Sequence, residues 1–413
     1  MAYRIKGGVA LRGEIEAQGS KNAALPILFA CLAVKGRVFL SNLPDISDIE
    51  NTKTLLEGFG VIFEKEEAGL WVDSSHIAYG PISARAVRET RASSYLLGVG
   101  LGCFGRMRLA LPGGCALGPR PLDIHKKVFE ALGAVWCENE EEIELSADRL
   151  RGAKIYLPVR SVGATVNAIL CALFAEGKTE IYGYAEEYHV RELLRFLRAV
   201  GAEIERDALA ITVYGGKKLH SAAFRIASDE IEAATYLFGG VATCGEVRVS
   251  GVPPEELSSV LTTLEKMGAC VKKEKNAVTV SARGRLLGAD VVCRPYPYFP
   301  TDLHPQTAVL LSLSQTGGSI TDTVFTERFG YAAELEKMGV KCEREGNKLR
   351  LLPSTLHGAR VAAPDLRAGA ALTIAALSAD GETLIFGDSF IRRGYERFAE
   401  KWQSLGADIA FFD

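Results

Sequence analysis

The chain has 413 residues, 48% hydrophobic and 24% charged, with a net charge of −3. This is a soluble-protein composition, long enough for two or more ordinary cores, and its acidic balance argues against a nucleic-acid-tracking surface. Nine cysteines without a C-x-x-C pair argue against a disulfide framework or a zinc site and for a reducing compartment. Neither the opening "MAYRIKGGVALRGEIEAQGS" nor any later run has the apolar length of a signal peptide or a membrane span, so a cytoplasmic location and no membrane partner are expected.

Taken in chain order, one layout recurs six times with a period of about 69 residues. Each unit begins with a nearly apolar stretch: "KNAALPILFACLA", "RASSYLLGVGLG", "GATVNAILCALFA", "IEAATYLFGGVA", "LHPQTAVLLSLS" and "RAGAALTIAALS". Apolar residues on every side predict helices buried in the centre of a lobe. A short strand, a polar loop and an amphipathic helix follow, the last closing on Gly60, Gly133, Gly201, Gly268, Gly339 or Gly406, where a left-handed residue is required. Alternating segments such as "AEIERDALAITVYG" and "ACVKKEKNAVTVSA" then predict strands.

The sixth unit stops short at "ADIAFFD". The N-terminal "YRIKGGVALRGEIEAQGS", which matches in layout the "KKLHSAAFRIAS" leading into the fourth unit, is expected to supply its missing strands. Residues 21–229 then form one lobe and residues 1–20 with 230–413 the other, with crossovers near residues 20 and 229. The fold class is α/β, buried helices covered by sheets, with a cleft between the lobes for ligands. "GLGCFG", residues 100–105, has dinucleotide-binding spacing, but it ends a helix and precedes a strand, the reverse of what that fingerprint needs.

Two slots recur in the repeat. The first, just before each buried helix, holds Lys21 and Asn22, Arg91, Ser161 to Gly163, Asp229 with Glu232, Asp302, and Asp365 with Arg367. Helix N-termini favour anions, so Asp229 and Asp365 read as N-caps, whereas Lys21, Arg91 and Arg367 are odd there. Either they form salt bridges across the lobe interface, or they await an anionic ligand. The second slot, after each short strand, holds Cys115 with Arg120 to His125, then Glu187, Arg328 and Arg393.

Cys115 sits in "ALPGGCALGPRPLD". Gly113 and Gly114 leave its thiol uncovered and a nearby guanidinium favours the thiolate, the setting of a reactive sulfur rather than of a small buried hydrophobe. If both slots face the cleft, Lys21, Arg91, Arg120, Arg367 and Arg393 converge there with Cys115 and Asp302. That grouping suits a small, multiply anionic substrate carrying phosphate or carboxylate. The histidines have no ligand spacing, so no metal is expected.

"GSKNAALPILFA", "LPGGCALGPRPLDIH", "SVGATV", "FPTD", "TDTVFTERF", "DLRA" and "RRGYER", in that order, closely resemble the enolpyruvyl transferase family. The resemblance spans essentially the whole chain, and the Lys21–Asn22 pair with the Cys115 loop resembles its nucleotide-sugar branch. It implies an inside-out α/β barrel of two lobes, each of three βαβαββ-like units, acting on phosphoenolpyruvate and UDP-N-acetylglucosamine without a cofactor. It also implies roles. Asp302 would accept the proton of the sugar 3-hydroxyl. Cys115 would protonate C3 of the enol and would react with fosfomycin. Lys21, Arg120 and Arg393 would hold phosphate and carboxylate, supported by Arg91 and Arg367. Asn22 and Arg328 would touch substrate. The uridine diphosphate would lie along Arg120, Pro121, Leu122, Asp123, Ile124 and His125 and along Ser161, Val162 and Gly163, with Val324 near the sugar.

The chain departs from the usual family pattern at Tyr188 and His189, at Glu230 where Arg is expected, at Gly330, at Arg392 where Asp is common, and at Val159 where some members have Lys. These positions lie outside the residues assigned to the chemistry. They leave open a divergent paralogue with another acceptor, or a nucleotide-sugar-binding protein with little turnover.

Overall fold

Six helices of this chain have almost no solvent-facing side: Lys21–Ala30, Leu96–Phe104, Val162–Ala172, Glu230–Ala242, His304–Leu313 and Leu366–Ser378. They are the six apolar stretches of the sequence, and each fully buried Leu or Ile contributes roughly 1.5–3 kcal/mol relative to exposure. The computed structural model describes residues 2–111 and 122–412, so Cys115, Arg120 and Pro121 lie outside the described residues, as does the side chain of Arg91.

The chain divides into two compact units, one from Gly19 to Ala227, the other from Ser228 onward together with the N-terminal segment up to Gln18. In the first, Leu96–Phe104 packs on Lys21–Ala30 and on Val162–Ala172; in the second, Glu230–Ala242, His304–Leu313 and Leu366–Ser378 pack on one another. Each unit has its own apolar core.

Sheets cover these helices. In the unit from Ser228, Ala289–Cys293 and Gly318–Asp322 are parallel neighbours joined through the buried His304 helix, and Lys348–Leu352 and Lys341–Glu345 extend the sheet antiparallel. A parallel pair requires such a crossover, and burying the helix satisfies that requirement and the core together. The same order recurs in four other sheets of four strands, while Arg106–Ala110, Glu142–Ser146 and Val135–Glu138 make a sheet of three among the described residues. None of these sheets closes on itself among the described residues.

Two sheets take a strand from far along the chain. Arg12–Glu16 precedes the Lys21 helix yet pairs in parallel with Glu246–Ser250, and Ala222–Arg225 precedes the Glu230 helix yet pairs in parallel with Arg37–Ser41. Ala2–Lys6 lies between Glu382–Phe386 and Asp408–Phe412, antiparallel to both, filling the place that the truncated last unit leaves vacant. The expected closure of the chain by its N-terminus is therefore made.

The six helix-ending glycines all adopt φ between +86° and +96°. Each N–H donates to the carbonyl three residues back, and the following N–H reaches five back, as from Gly268 to Glu265 (3.0 Å) and from Ala269 to Leu264 (3.0 Å). "GLGCFG" likewise ends the Leu96 helix, at Gly105 with φ +70°, and leads into Arg106–Ala110.

Gly268 has φ +92° and open space around it, so Gly268→Ala should cost only the left-handed penalty, about 1–2 kcal/mol. Gly245→Ala would put a methyl 1.9 Å from the Leu11 carbonyl oxygen and should be far more damaging. Urea unfolding of the two variants checks the order.

Candidate active site

In the unit from Gly19, Lys21 opens its buried helix without a side-chain cap, and its Nζ lies 2.7 Å from Asp48 Oδ2, with side-chain exposures of 12% and 3%. The ion pair expected across the lobes is thus made inside one unit, because Asp48 is carried on the next helix, Ser47–Glu57. Asn22 is half-buried beside it. Arg91 opens the 3-10 turn Arg91–Tyr95 that leads into the Leu96 helix.

The proposed nucleotide segments meet in the same unit. Leu122 is the residue before the helix Asp123–Ala131, which carries Asp123, Ile124 and His125. Ser161 caps the Val162 helix by accepting from Ala164 N–H at 3.3 Å. Asn167, one turn further in, joins them. Its Nδ2 is 3.0 Å from His125 Nδ1 and 3.3 Å from the Gly163 carbonyl, and its Oδ1 accepts from Gly98 N–H at 2.9 Å. A Cβ on Gly163 would sit 3.0 Å from His125 Cε1, so the glycine lets the buried imidazole lie against the helix start.

In the unit from Ser228, Asp302 does not cap its helix. Its carboxylate accepts from two buried guanidiniums: Arg328 Nη1 to Oδ1 at 2.7 Å, and Arg367 Nη2 and Nε to Oδ2 at 2.9 and 3.2 Å. Burial pushes the Asp302 carboxyl up, but Arg367 and then Arg328 outweigh it and hold the group well below the usual carboxylate range. Arg367 Nη1 also donates to the Tyr395 hydroxyl at 3.4 Å, and that hydroxyl is 3.0 Å from Thr235 Oγ1.

Tyr395 follows Arg393 by two residues. This loop is fastened by Gln18, whose Nε2 donates to the Gly394 carbonyl at 2.8 Å and whose Oε1 accepts from Glu396 N–H at 2.9 Å. Val324 lies on the loop after Gly318–Asp322, its N–H donating to Asp322 Oδ1 at 2.8 Å. Asp302, Arg328 and Arg367 are therefore in direct contact, with Arg393 and Val324 on loops tied to the same cluster.

Asp229 and Asp365 are N-caps, as expected. Asp229 accepts from Ile231 and Glu232 N–H at 3.0 and 2.9 Å, Asp365 from Arg367 and Ala368 N–H at 2.9 and 3.0 Å. Of the departures, Tyr188 and His189 begin the helix Tyr188–Ala199, and Arg392 pairs with Asp388 at 3.1 Å. Gly330 lies in a turn between the buried Phe329 and Tyr331. Glu230 is the most perturbed. Burial, then the neighbouring Asp229, push its carboxyl up to about 8, against lowering by its own N–H and by Arg367. Sequence reading missed Asp48, Asn167, Thr301, Asp322 and Tyr395. Thr301, Asp322 and Tyr395 fall inside the quoted motifs, but nothing in their spacing tells which neighbour each one reaches.

The family model described as EPSP synthase (3-phosphoshikimate 1-carboxyvinyltransferase) matches residues 5–402. The UDP-N-acetylglucosamine 1-carboxyvinyltransferase of Halothermothrix orenii is 40% identical over 408 residues, 98% of each chain. The UDP-N-acetylglucosamine 1-carboxyvinyltransferase 2 of Listeria monocytogenes is 40% identical over 409 residues, 98% of this chain and 96% of that one. Among solved structures, the enolpyruvyl transferase NikO from Streptomyces tendae superposes with a TM-score of 0.90 at 25% identity, covering 99% and 98% of the two chains. EPSP synthase from Acinetobacter baumannii shares the fold, with a TM-score of 0.76 at 19% identity over the whole of both chains. The chain belongs to the EPSP synthase family of enolpyruvyl (carboxyvinyl) transferases, and is a transferase.

Asp302→Ala strands two buried guanidiniums and should lower stability by about 3–5 kcal/mol, measured by urea unfolding. For Glu230 the sign runs the other way from a paired carboxylate. Unfolded, the group ionises near about 4.3, whereas folded it keeps its proton up to about 8, so its contribution is lost as pH rises through that window. Glu230→Gln should match the wild type near pH 4 and melt at a higher temperature than it at pH 8.5.

Proposed function

We propose that this enzyme transfers the enolpyruvyl group of phosphoenolpyruvate to the 3-hydroxyl of UDP-N-acetylglucosamine, with release of phosphate, the first committed step of peptidoglycan synthesis. The observation that carries the reading is 40% identity, over 98% of both chains, to a relative named for that acceptor. Both substrates are small anions, and the site residues named above supply cations and helix N-termini for them. The absence of any helix long and apolar enough to cross a membrane, among the described residues, accords with a cytoplasmic enzyme.

In this reading the two units are the two lobes, 21–229 and 1–20 with 230–413, of an inside-out α/β barrel with three repeats each. The recurring order of the sheets supports it. Lys21, Arg120 and Arg393 hold the phosphate and carboxylate of phosphoenolpyruvate, with Arg91 and Arg367 in support and Asn22 beside Lys21. The uridine diphosphate runs from Arg120 through His125 and along Ser161 to Gly163, and Val324 and Arg328 meet the sugar.

The sugar O3 attacks C2 of phosphoenolpyruvate. Its proton goes to Asp302, and the C2–C3 π pair takes a proton from Cys115, giving a tetrahedral ketal. The Cys115 thiolate then takes a proton back from C3, re-forming the double bond as the C2–O bond to phosphate breaks. Held by two guanidiniums, Asp302 is a weak base. An incoming carboxylate or phosphate competes for the Arg367 donors, so binding of the anion frees Asp302 for the hydroxyl proton.

Phosphate release from phosphoenolpyruvate should require UDP-N-acetylglucosamine in the wild type. Asp302→Asn or Cys115→Ser should slow it by about two to four orders of magnitude, the loss typical of one general acid or base. Fosfomycin should label Cys115 in the wild type. A wild type that never turns over with this pair rules the reaction out.

A further inference from the structure

We propose that Asp322 is a positioning residue for the acceptor side of the reaction: through Thr301 it orients Arg328 against Asp302, and through backbone bonds it sets the Val324 loop. The inference rests on the reading that Asp302 and Arg328 serve the acceptor. It adds a residue to which that reading gives no role.

Asp322 ends the strand Gly318–Asp322 and is fully buried, yet its carboxylate accepts four bonds. Oδ1 takes the N–H groups of Val324 and Phe325 at 2.8 and 3.0 Å, which forces the chain to turn at Val324. Oδ2 takes the Thr301 hydroxyl at 2.5 Å and His304 Nδ1 at 3.3 Å. A carboxylate can only accept, so the Thr301 proton must point at Asp322. The lone pairs of Thr301 Oγ1 are then left for Arg328, whose Nη1 donates to them at 3.3 Å and to Asp302 Oδ1 at 2.7 Å. A threonine facing the other way would present its proton to the guanidinium and push it off Asp302.

His304 completes the arrangement. The same rule makes its Nδ1 the protonated nitrogen, and its ring is clamped edge-on between Phe329 and Tyr331, with centroids 4.7 and 5.2 Å away. Burial, stronger than the opposing pull of Asp322, keeps the imidazole below its ordinary pKa and so neutral at pH 7. Burial also pushes the Asp322 carboxyl up, but its bonds to His304 and Thr301 and the loop N–H groups outweigh this and keep it ionised. The charged groups facing this pair are Arg328 and Asp365, and the titratable ones are Cys293 and Tyr331, which burial pushes up and keeps neutral, so the network holds one state across neutral pH.

The test is Thr301→Val, which keeps shape and removes the hydroxyl, beside Thr301→Ser, which returns it. Thr301→Val should lower kcat by about ten- to a hundredfold, the order expected of a slightly misplaced group. KM for phosphoenolpyruvate should stay within about twofold, and the acid limb of the kcat–pH profile should move up as Asp302 loses part of its guanidinium contact. Thr301→Ser should restore kcat and the pH profile. Asp322→Asn is the second variant and should reproduce the Val324-loop half, with a raised KM for the sugar nucleotide.

A readout independent of turnover separates this inference from the reaction it rests on. In urea unfolding, Thr301→Val and Asp302→Asn should be coupled, the double variant losing less than both single losses together. Additive losses, or a Thr301→Val enzyme with wild-type kcat and pH profile, overturn the proposal. Coupling in a wild type without turnover would sink the reaction and leave the positioning role standing.

Discussion

An apolar helix can be surrounded by protein on every side, but its first turn still carries N–H groups that must be answered. This constraint organises the molecule, because each of the six buried helices brings that unanswered end to a place where only side chains or a ligand can meet it. Ser161, Asp229 and Asp365 answer it as caps. Lys21 does not, and Asp302 turns away from the helix it precedes towards Arg328 and Arg367. Residues that the proposed function assigns to substrate stand at both kinds of helix start, Ser161 and Arg367 at capped ends and Lys21 and Asp302 at uncapped ones.

The charge accounting within each unit follows from the same constraint. Lys21 is neutralised by Asp48, whereas Arg328 and Arg367 share the single carboxylate of Asp302 and keep a net positive charge. Such pairs are poor sources of stability, since desolvation consumes most of their attraction. They are good at something else, because a partly exposed carboxylate between two guanidiniums is a site where an anionic ligand can exchange partners with little desolvation of its own. Glu230, beside Arg367, adds a carboxyl that stays protonated near neutrality. The resemblance implies Arg at this position, so a neutral group stands here where a fixed cation was expected.

Strand exchange gives the fold its closure. Arg12–Glu16 and Ala222–Arg225 each serve a sheet remote in sequence, and Ala2–Lys6 fills the last one. The backbone around Gln18 is drawn into the Ser228 unit by Asp229 N–H bonding to the Gln18 carbonyl at 2.7 Å, and the Gln18 side chain fastens the loop that bears Arg393. Two full-length relatives and a superposition at a TM-score of 0.90 set this arrangement within one enzyme family.

Local physics made the repeat legible in the sequence. Uninterrupted apolar stretches longer than a strand gave away the buried helices, the six glycines gave away the left-handed helix ends, and Asp229 and Asp365 could be read as caps because a cap bonds within three residues of itself. The incomplete last unit likewise announced its need for the N-terminal strand. What reaches across the chain was not legible. Asp48 for Lys21, Tyr395 for Arg367, Asn167 for His125 and Asp322 for Thr301 are partners chosen by how helices and loops pack, and a polar residue has the same local signature whether it faces water or a buried guanidinium. The sequence therefore determined the elements, their order and the kinds of groups available. Tertiary structure alone decided which charges meet, because hydrogen bonds and ion pairs act over a few ångströms of space and take no account of separation along the chain.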